Sequence, residues 1–191
     1  MNSLSIAELS ILDWIAQHCH SLWLDTVMPW ISHLGDSGAI WILLAAVFLL
    51  LGKREGSKGI QILLALLLSL LFCNLILKSA VGRIRPFVFN PAVELLVPPP
   101  MDPSFPSGHT SASFAAATVL LATKWKGRWV ALGLAVLIAF SRLYLYVHFP
   151  SDVVGGMGVG ILCGLLAVTI WNHWLCRFVS QRKNKGMKDP P

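Results

Sequence analysis

Six apolar stretches, at about 22–34, 39–51, 59–77, 111–123, 129–140 and 153–171, recur along a chain of 191 residues. That series leaves room for little except a bundle of helices in a bilayer. With 55% apolar and only 13% charged residues, and a mean hydropathy of +0.69, an ordinary water-soluble domain is excluded. An upright span takes roughly 20 residues. Two stretches approach that length alone, and the others reach it by taking in polar neighbours, as helices do when their ends enter a solvated site or are shielded by partners. The expected fold is all-α: one integral membrane bundle of six transmembrane helices over residues 1–191.

The segment before the first stretch, residues 1–20, reads as an interfacial helix. Leu4, Ile6, Leu9, Ile11, Leu12 and Ile15 give it a broad apolar face with Trp14 alongside. Glu8 and Asp13 stand where a cleaved leader would carry basic residues, so no signal peptide is expected.

A net charge of +6 would fit nucleic acid, but the basic residues sit where topology puts them. Lys53, Arg54 and Lys58 follow the second stretch, and Lys124, Lys126 and Arg128 separate the fourth from the fifth. Arg177, Arg182, Lys183, Lys185 and Lys188 make a basic tail over 177–191. With six spans all three clusters fall on one face, which the positive-inside rule makes cytoplasmic, and both termini lie inside. Trp125, Trp129, Trp171 and Trp174 then flank the cytoplasmic side, with Trp30 and Trp41 toward the other interface. Cys19, Cys73, Cys163 and Cys176 lie in or beside apolar runs and read as small hydrophobes, not disulfides or metal ligands.

Lys78, Arg83, Arg85 and Arg142 are left for the extracytoplasmic face. Three of them belong to blocks dense in chemistry: Lys78 to Arg85-Pro86, then Pro106-Ser107-Gly108-His109, then Ser141-Arg142 with His148 and Asp152. Ionisable groups beside apolar runs are costly, so such a set marks a wet functional cavity. If the third helix continues past Leu77, Lys78 and Arg85 lie two turns apart on nearly one face, and Pro86 ends the helix; if Gly82 interrupts it first, the charges stay usable without that spacing. Lysine neutralises as a compact charge, while arginine holds two oxygens in a planar fork. Arg83 reads as an ordinary snorkelling residue.

Ser107 is an expected N-cap and Gly108 lets a ligand approach the backbone, so this helix start is an anion site with His109 in its first turn. Pro150 marks the break before the last helix, and Asp152 in that helix's first turn can bond one ring nitrogen of His148, leaving the other free and basic. A nucleophile with its orienting group results. Asp36, after Gly35, reads as a helix cap in preference to a catalytic group. Asp25, Gln61, Ser69 and Asn74 are expected to bond neighbouring helices, with Asn74 one turn before Lys78 and able to approach the site. Gly156, Gly160 and Gly164 put a strip of small residues on the last helix for close packing against a partner that spacing does not identify. Seven of the eleven prolines fall within 86–106, an extracytoplasmic loop that is either a rim over the site or a rigid connector.

Lys-x6-Arg-Pro, Pro-Ser-Gly-His and Ser-Arg-x5-His-x3-Asp, in that order, resemble the three motifs of the type 2 phosphatidic acid phosphatase superfamily, relatives of the vanadium haloperoxidases. The resemblance implies that His148 attacks phosphorus to give a phosphohistidine, Asp152 orients it and His109 protonates the leaving group. It further implies that Lys78, Arg85, Arg142, Ser107 and the Gly108 amide bind phosphoryl oxygens. No cofactor and no metal are expected: three cations and a helix N-terminus supply the charge, and near the motifs only Glu94, Asp102 and Asp152 offer carboxylates.

The expected function is a lipid phosphatase of the cell membrane, with undecaprenyl diphosphate the leading substrate. Phosphatidylglycerol phosphate, phosphatidate and a lipid A phosphate are the alternatives. A lipid-phosphate binding or transport protein would need the cations without the His148–Asp152 pair, and vanadate-dependent peroxidase chemistry suits a soluble protein better. Partners are the lipid substrate and the bilayer, with no nucleic acid.

Overall fold

The computed structural model describes residues 3–175, all of them helix, turn or loop without a strand. The basic tail over 177–191 and Cys176 lie outside the described residues. Helix α1 (Ser3–His18) is followed by α2 (Leu22–Leu34), whose start is capped by Ser21 accepting from Leu24 N. A corner made of Gly35 and a 3₁₀ turn, Asp36–Gly38, leads to α3 (Ala39–Leu50). Ser37 and Gly38 take left-handed φ of 52° and 71° there, and the axis bends by 48°.

Past a second left-handed turn at Gly52, α4 (Lys53–Ser69) widens into a π-helical segment, Leu70–Leu77, and tightens again in α5 (Lys78–Val81). Such π turns inside α-helices gather at functional sites. Gly82, at φ 58°, stops the helix, and Arg85 is extended, so the interrupted alternative holds and the two-turn spacing of Lys78 and Arg85 does not. The proline-rich loop then runs to α6 (Gly108–Ala122), α7 (Arg128–Tyr144) and α8 (Pro150–Ile170), the last with Pro150 in its first position.

α6 is the central helix, and its pairing with α8 is the most extensive in the bundle. The glycine strip of α8 faces it. A Cβ on Gly156, Gly160 or Gly164 would come 2.5, 2.3 and 2.7 Å from the backbone oxygens of Ser107, Ser111 and Ala115, so the two backbones are in near contact. The partner left open by the sequence is therefore within the chain. Ser111 bonds Ser69 of α4 at 2.7 Å, and Trp41 of α3 donates to Ser113 at 3.0 Å. Trp41 is thus a core residue at 1% exposure and not an interfacial anchor, because Ser113 offers its indole N–H a partner inside. Of the polar groups expected to link helices, Asp25 accepts from Tyr144 Oη of α7, whereas Gln61 bonds its own helix at Ser57 O.

By length and composition two helices can each cross a bilayer, 55–88 and 150–173, and the bent pair of α2 with α3 is a third candidate. The six crossings read from the sequence are not all of this kind. α2 and the turn before it are tied to the C-terminal end of α7: His20 bonds Tyr144 O, Asp25 bonds Tyr144 Oη and Ser32 bonds Arg142. α1 reaches the same end, through Glu8 to Arg83 and Ser151 and through Asp13 to Tyr146. Both N-terminal helices therefore pack over the end of the bundle that carries the three motifs.

Candidate active site

Lys78, Arg85, Gly108, His109, Arg142 and His148, drawn from all three blocks of the sequence, line one cavity of about 380 Å³. Pro98, Pro99 and Pro100 form its wall, which puts the proline-rich loop against the site. Ser107 stands behind the wall, fully buried, with its hydroxyl accepting from Thr110 N in the expected N-cap. Gly108 is where a Cβ would strike Asn74 Oδ1 at 2.9 Å, so a side chain is excluded and Asn74 does approach the site. That oxygen has no hydrogen-bond partner.

His148 is almost fully enclosed, at 1% exposure, in the turn between α7 and α8. Its Nε2 faces Arg85 Nη1 at 3.3 Å, and Arg85 Nη1 also donates to Val147 O at 2.7 Å. A guanidinium has no acceptor, so Nε2 is the unprotonated nitrogen and Nδ1 carries the hydrogen. Nδ1 looks toward Asp152 Oδ2 at 3.6 Å, ion-pair range but longer than a hydrogen bond. The reason is competition, since Oδ2 already accepts from Ser104 Oγ and from Phe149 N at 2.8 Å. Burial, with the charges of Arg85 and Arg142, pushes the imidazole down to about 3 against the opposing pull of Asp152. It is a neutral base at physiological pH, as an attacking nitrogen must be.

Asp152 is held more firmly than the sequence suggests. Its Oδ1 accepts from Arg83 Nη1 at 2.6 Å, and the same nitrogen reaches Ser151 Oγ at 2.6 Å. Arg83 Nη2 pairs with Glu8 Oε2 at 2.6 Å, and its guanidinium lies 4.0 Å over the Phe149 ring. Arg83 is therefore no snorkelling residue: it clamps the turn that carries His148 and ties α1 to it. Glu8, 4% exposed, completes the clamp by accepting from Ser151 N at 2.7 Å.

Two further carboxylates enter the cavity. Asp102, on the proline-rich loop, bonds Lys78 through Oδ2 and Arg85 Nη2 through Oδ1 at 2.8 Å, while its backbone oxygen takes Arg85 Nε at 2.8 Å. Burial would raise its carboxyl, but the bond and charge of Lys78 and then Arg85 outweigh that and hold it at about 2. Asp36, from the corner between α2 and α3, bonds His109 Nε2 at 2.8 Å and His33 Nδ1 at 2.7 Å. It caps no helix, contrary to expectation. Arg142 donates to Ser32 and keeps a buried Nε without a partner.

Three cations, a capped helix start and an unengaged arginine N–H converging on a base with an acid opposite suit a tetrahedral oxyanion undergoing displacement. A second cavity of about 560 Å³ opens from the same Lys78, Gly108 and His109 and is walled by Ile42, Leu63, Leu66, Leu67 and Leu70. Polar at one end and aliphatic along its length, it suits a phosphorylated lipid.

Known proteins agree with this geometry. The profile of the PAP2 superfamily matches residues 58–175. An undecaprenyl-diphosphatase of Sulfolobus acidocaldarius is 35% identical over 149 residues, 77% of this chain and 70% of that protein. Undecaprenyl-diphosphatase BcrC of Bacillus subtilis is 31% identical over 77% of this chain and 75% of its own length. Among solved structures, a transmembrane PAP2-type phosphatidylglycerolphosphate phosphatase from Bacillus subtilis superposes with a TM-score of 0.73. It is 26% identical and covers 91% of this chain and 89% of its own.

Proposed function

The chain belongs to the PAP2 superfamily, and on that premise we propose that it is a phosphohistidine-forming lipid phosphatase whose preferred substrate is undecaprenyl diphosphate. That it is a membrane lipid phosphatase rests on the family and its phosphatase relatives. The diphosphate rests on the relatives' substrate and on the aliphatic cavity leading away from Lys78 and His109. Phosphatidylglycerol phosphate is the second reading, favoured by the likeness to the Bacillus subtilis phosphatase.

The observation that carries the mechanism is the placement of His148, with Nε2 at Arg85 and Nδ1 toward Asp152. In this reading the phosphoryl group displaces Asp102 from Lys78 and Arg85 and takes a further bond from Arg142 Nε. His148 Nε2 attacks phosphorus in line while His109 protonates the departing oxygen, and water then cleaves the P–N bond with His109 as base. Asp152 steadies the imidazole as it becomes cationic, and Arg83 fixes Asp152. Each site carboxylate is engaged by a cation or a histidine, so the charge balance favours a metal-independent reaction.

For topology, we place the motif-bearing end outside and the basic turns at 53–58 and 124–128 inside. α1 and α2, packed over that end, then lie at the outer face with the N-terminus. Five crossings remain: α3, α4 with its π segment, α6, α7 and α8. The expected cytoplasmic N-terminus is replaced in this reading.

The test is phosphate release by purified protein in detergent from a panel of lipid phosphates and diphosphates, with wild type and His148→Ala. The expected result is fastest release from undecaprenyl diphosphate and an acid-labile phosphoenzyme in the wild type alone. A phosphoenzyme in His148→Ala would overturn the mechanism, and faster turnover of phosphatidylglycerol phosphate would overturn the substrate.

A further inference from the structure

Asp36 has an arrangement that neither capping nor stability accounts for. Both of its oxygens are spent on histidines, Oδ1 on His109 Nε2 at 2.8 Å and Oδ2 on His33 Nδ1 at 2.7 Å. Its side chain is 53% exposed, and ion pairs so exposed contribute only about 0–1 kcal/mol. The backbone is nevertheless shaped for this contact. A Cβ on Gly35 would lie 2.9 Å from His109 Cδ2, the ring atom next to Nε2, and 2.9 Å from Ile138, so only glycine lets the ring reach the corner. The two left-handed residues that follow, Ser37 and Gly38, turn the chain so that Asp36 looks at the start of α6.

We propose that Asp36 is the positioning residue of His109: it holds Nε2–H in one tautomer and makes Nδ1 the atom that exchanges protons with the reacting oxygens. The inference rests on the reading of His109 as general acid. In the first half-reaction the bond from the attacked phosphorus to the leaving-group oxygen, the bridging oxygen of a diphosphate or the ester oxygen of a monophosphate, breaks with its electron pair on that oxygen, which takes the Nδ1 proton. In the second, Nδ1 accepts a proton from the water whose oxygen bonds phosphorus as the P–N bond to His148 breaks. His109 is cationic before the first step and after the second, and Asp36 stabilises that form. The other charged groups facing the ring are Arg142 from α7 and Lys78 from α5, both cations that oppose it, while His33 meets it only through Asp36. Burial and these two cations favour the neutral ring, and the Asp36 carboxylate is the group that favours the protonated form the first step requires.

The experiment compares wild type, Asp36→Asn, His109→Ala and the double variant on phosphatidylglycerol phosphate, whose alcohol leaving group needs a proton, and on a lipid-tailed nitrophenyl phosphate, whose leaving group needs none. The first turnover is followed as product release, against pH. Asp36→Asn should lose at least about 10-fold more on phosphatidylglycerol phosphate than on the nitrophenyl ester, within the roughly 10²–10⁴-fold worth of a general acid. The loss should fall in kcat with little in KM, and the alkaline limb should move to lower pH, since an imidazolium without its carboxylate gives up its proton sooner. In the His109→Ala background the change should cost less than about twofold by the logic of coupled residues. Equal losses on the two substrates, an unmoved alkaline limb, or the same loss without His109 would each overturn the role of Asp36. If the nitrophenyl ester fails to rescue His109→Ala itself, the general-acid reading falls and this inference with it. Vanadate inhibition, which reads the phosphoryl grip, identifies a misfolded variant by its loss; Asp36→Glu, which keeps the carboxylate, then replaces it and should recover the alkaline limb if the inference holds, and not otherwise.

Discussion

Asp102 occupies two of the cations that a phosphoryl group needs, so replacing it with asparagine should tighten the binding of a competing anion. The magnitude follows from the contacts. Asp102 makes charge-assisted bonds to Lys78 and to Arg85 Nη2, each worth roughly 1.5–3 kcal/mol when shielded from water. Its side chain is 49% exposed, which brings each contact toward the roughly 0–1 kcal/mol of an exposed pair. Removing the charge should therefore release about 1–2 kcal/mol of competition, or roughly a 5–30-fold fall in the vanadate inhibition constant. The pH dependence has a definite sign. The carboxyl is held at about 2, below its unfolded value, so the competing charge is complete above the ordinary carboxylate range and lost only as pH falls through about 2. The gain in Asp102→Asn should thus be flat from about pH 6 to 8. Vanadate inhibition of phosphate release in detergent measures it. An unchanged or raised inhibition constant would refute the competition and make Asp102 part of the grip.

Glu8→Ala should destabilise the protein by about 3–5 kcal/mol, because it leaves the largely buried Arg83 with an unpaired Nη2 and Ser151 N without its acceptor; thermal unfolding in detergent reads it, and a change below about 1 kcal/mol would show that α1 is not clamped. Gly160→Ala forces a methyl to 2.3 Å from Ser111 O and should cost about 1–3 kcal/mol in the same assay, with Gly158→Ala, which meets nothing, as the neutral control. Single cysteines at Ser10 and Asn90, in a background without native cysteines, should label from outside and one at Lys126 from inside; labelling of Ser10 from inside would restore the cytoplasmic N-terminus. Hydrolysis should survive EDTA, and a restorable requirement for a divalent cation would remove the metal-independent mechanism.

The helices and most of the residues that line the candidate site were legible because they are local. Apolar runs report burial in a bilayer whatever their partners, Ser107 caps α6 through a residue three positions on, and His148 and Asp152 share a single turn. The glycine strip of α8 likewise announced close packing. What the sequence could not contain was which distant group would return to each of these. Asp36 and His109 are 73 residues apart and Glu8 and Arg83 are 75, and a carboxylate alone in a polar segment carries no mark of its partner. Asp36 therefore looked like a cap, Arg83 like a snorkelling arginine and Asp102 like one of a few carboxylates near the motifs, with no partner assigned. The same limit hid how α2 joins the bundle: its apolar length resembles a short span, and only its contacts show that it meets the end of α7. It also left open how Lys78 and Arg85 meet, and the structure brings them to one carboxylate through the left-handed Gly82 and not along a helix. Periodicity and motif spacing are properties of a few neighbouring residues and are set by the chain itself; the pairing of charges across the bundle depends on where the backbone comes back, and that was decided only when α1, the Gly35–Gly38 corner and the proline-rich loop closed over one end of α6.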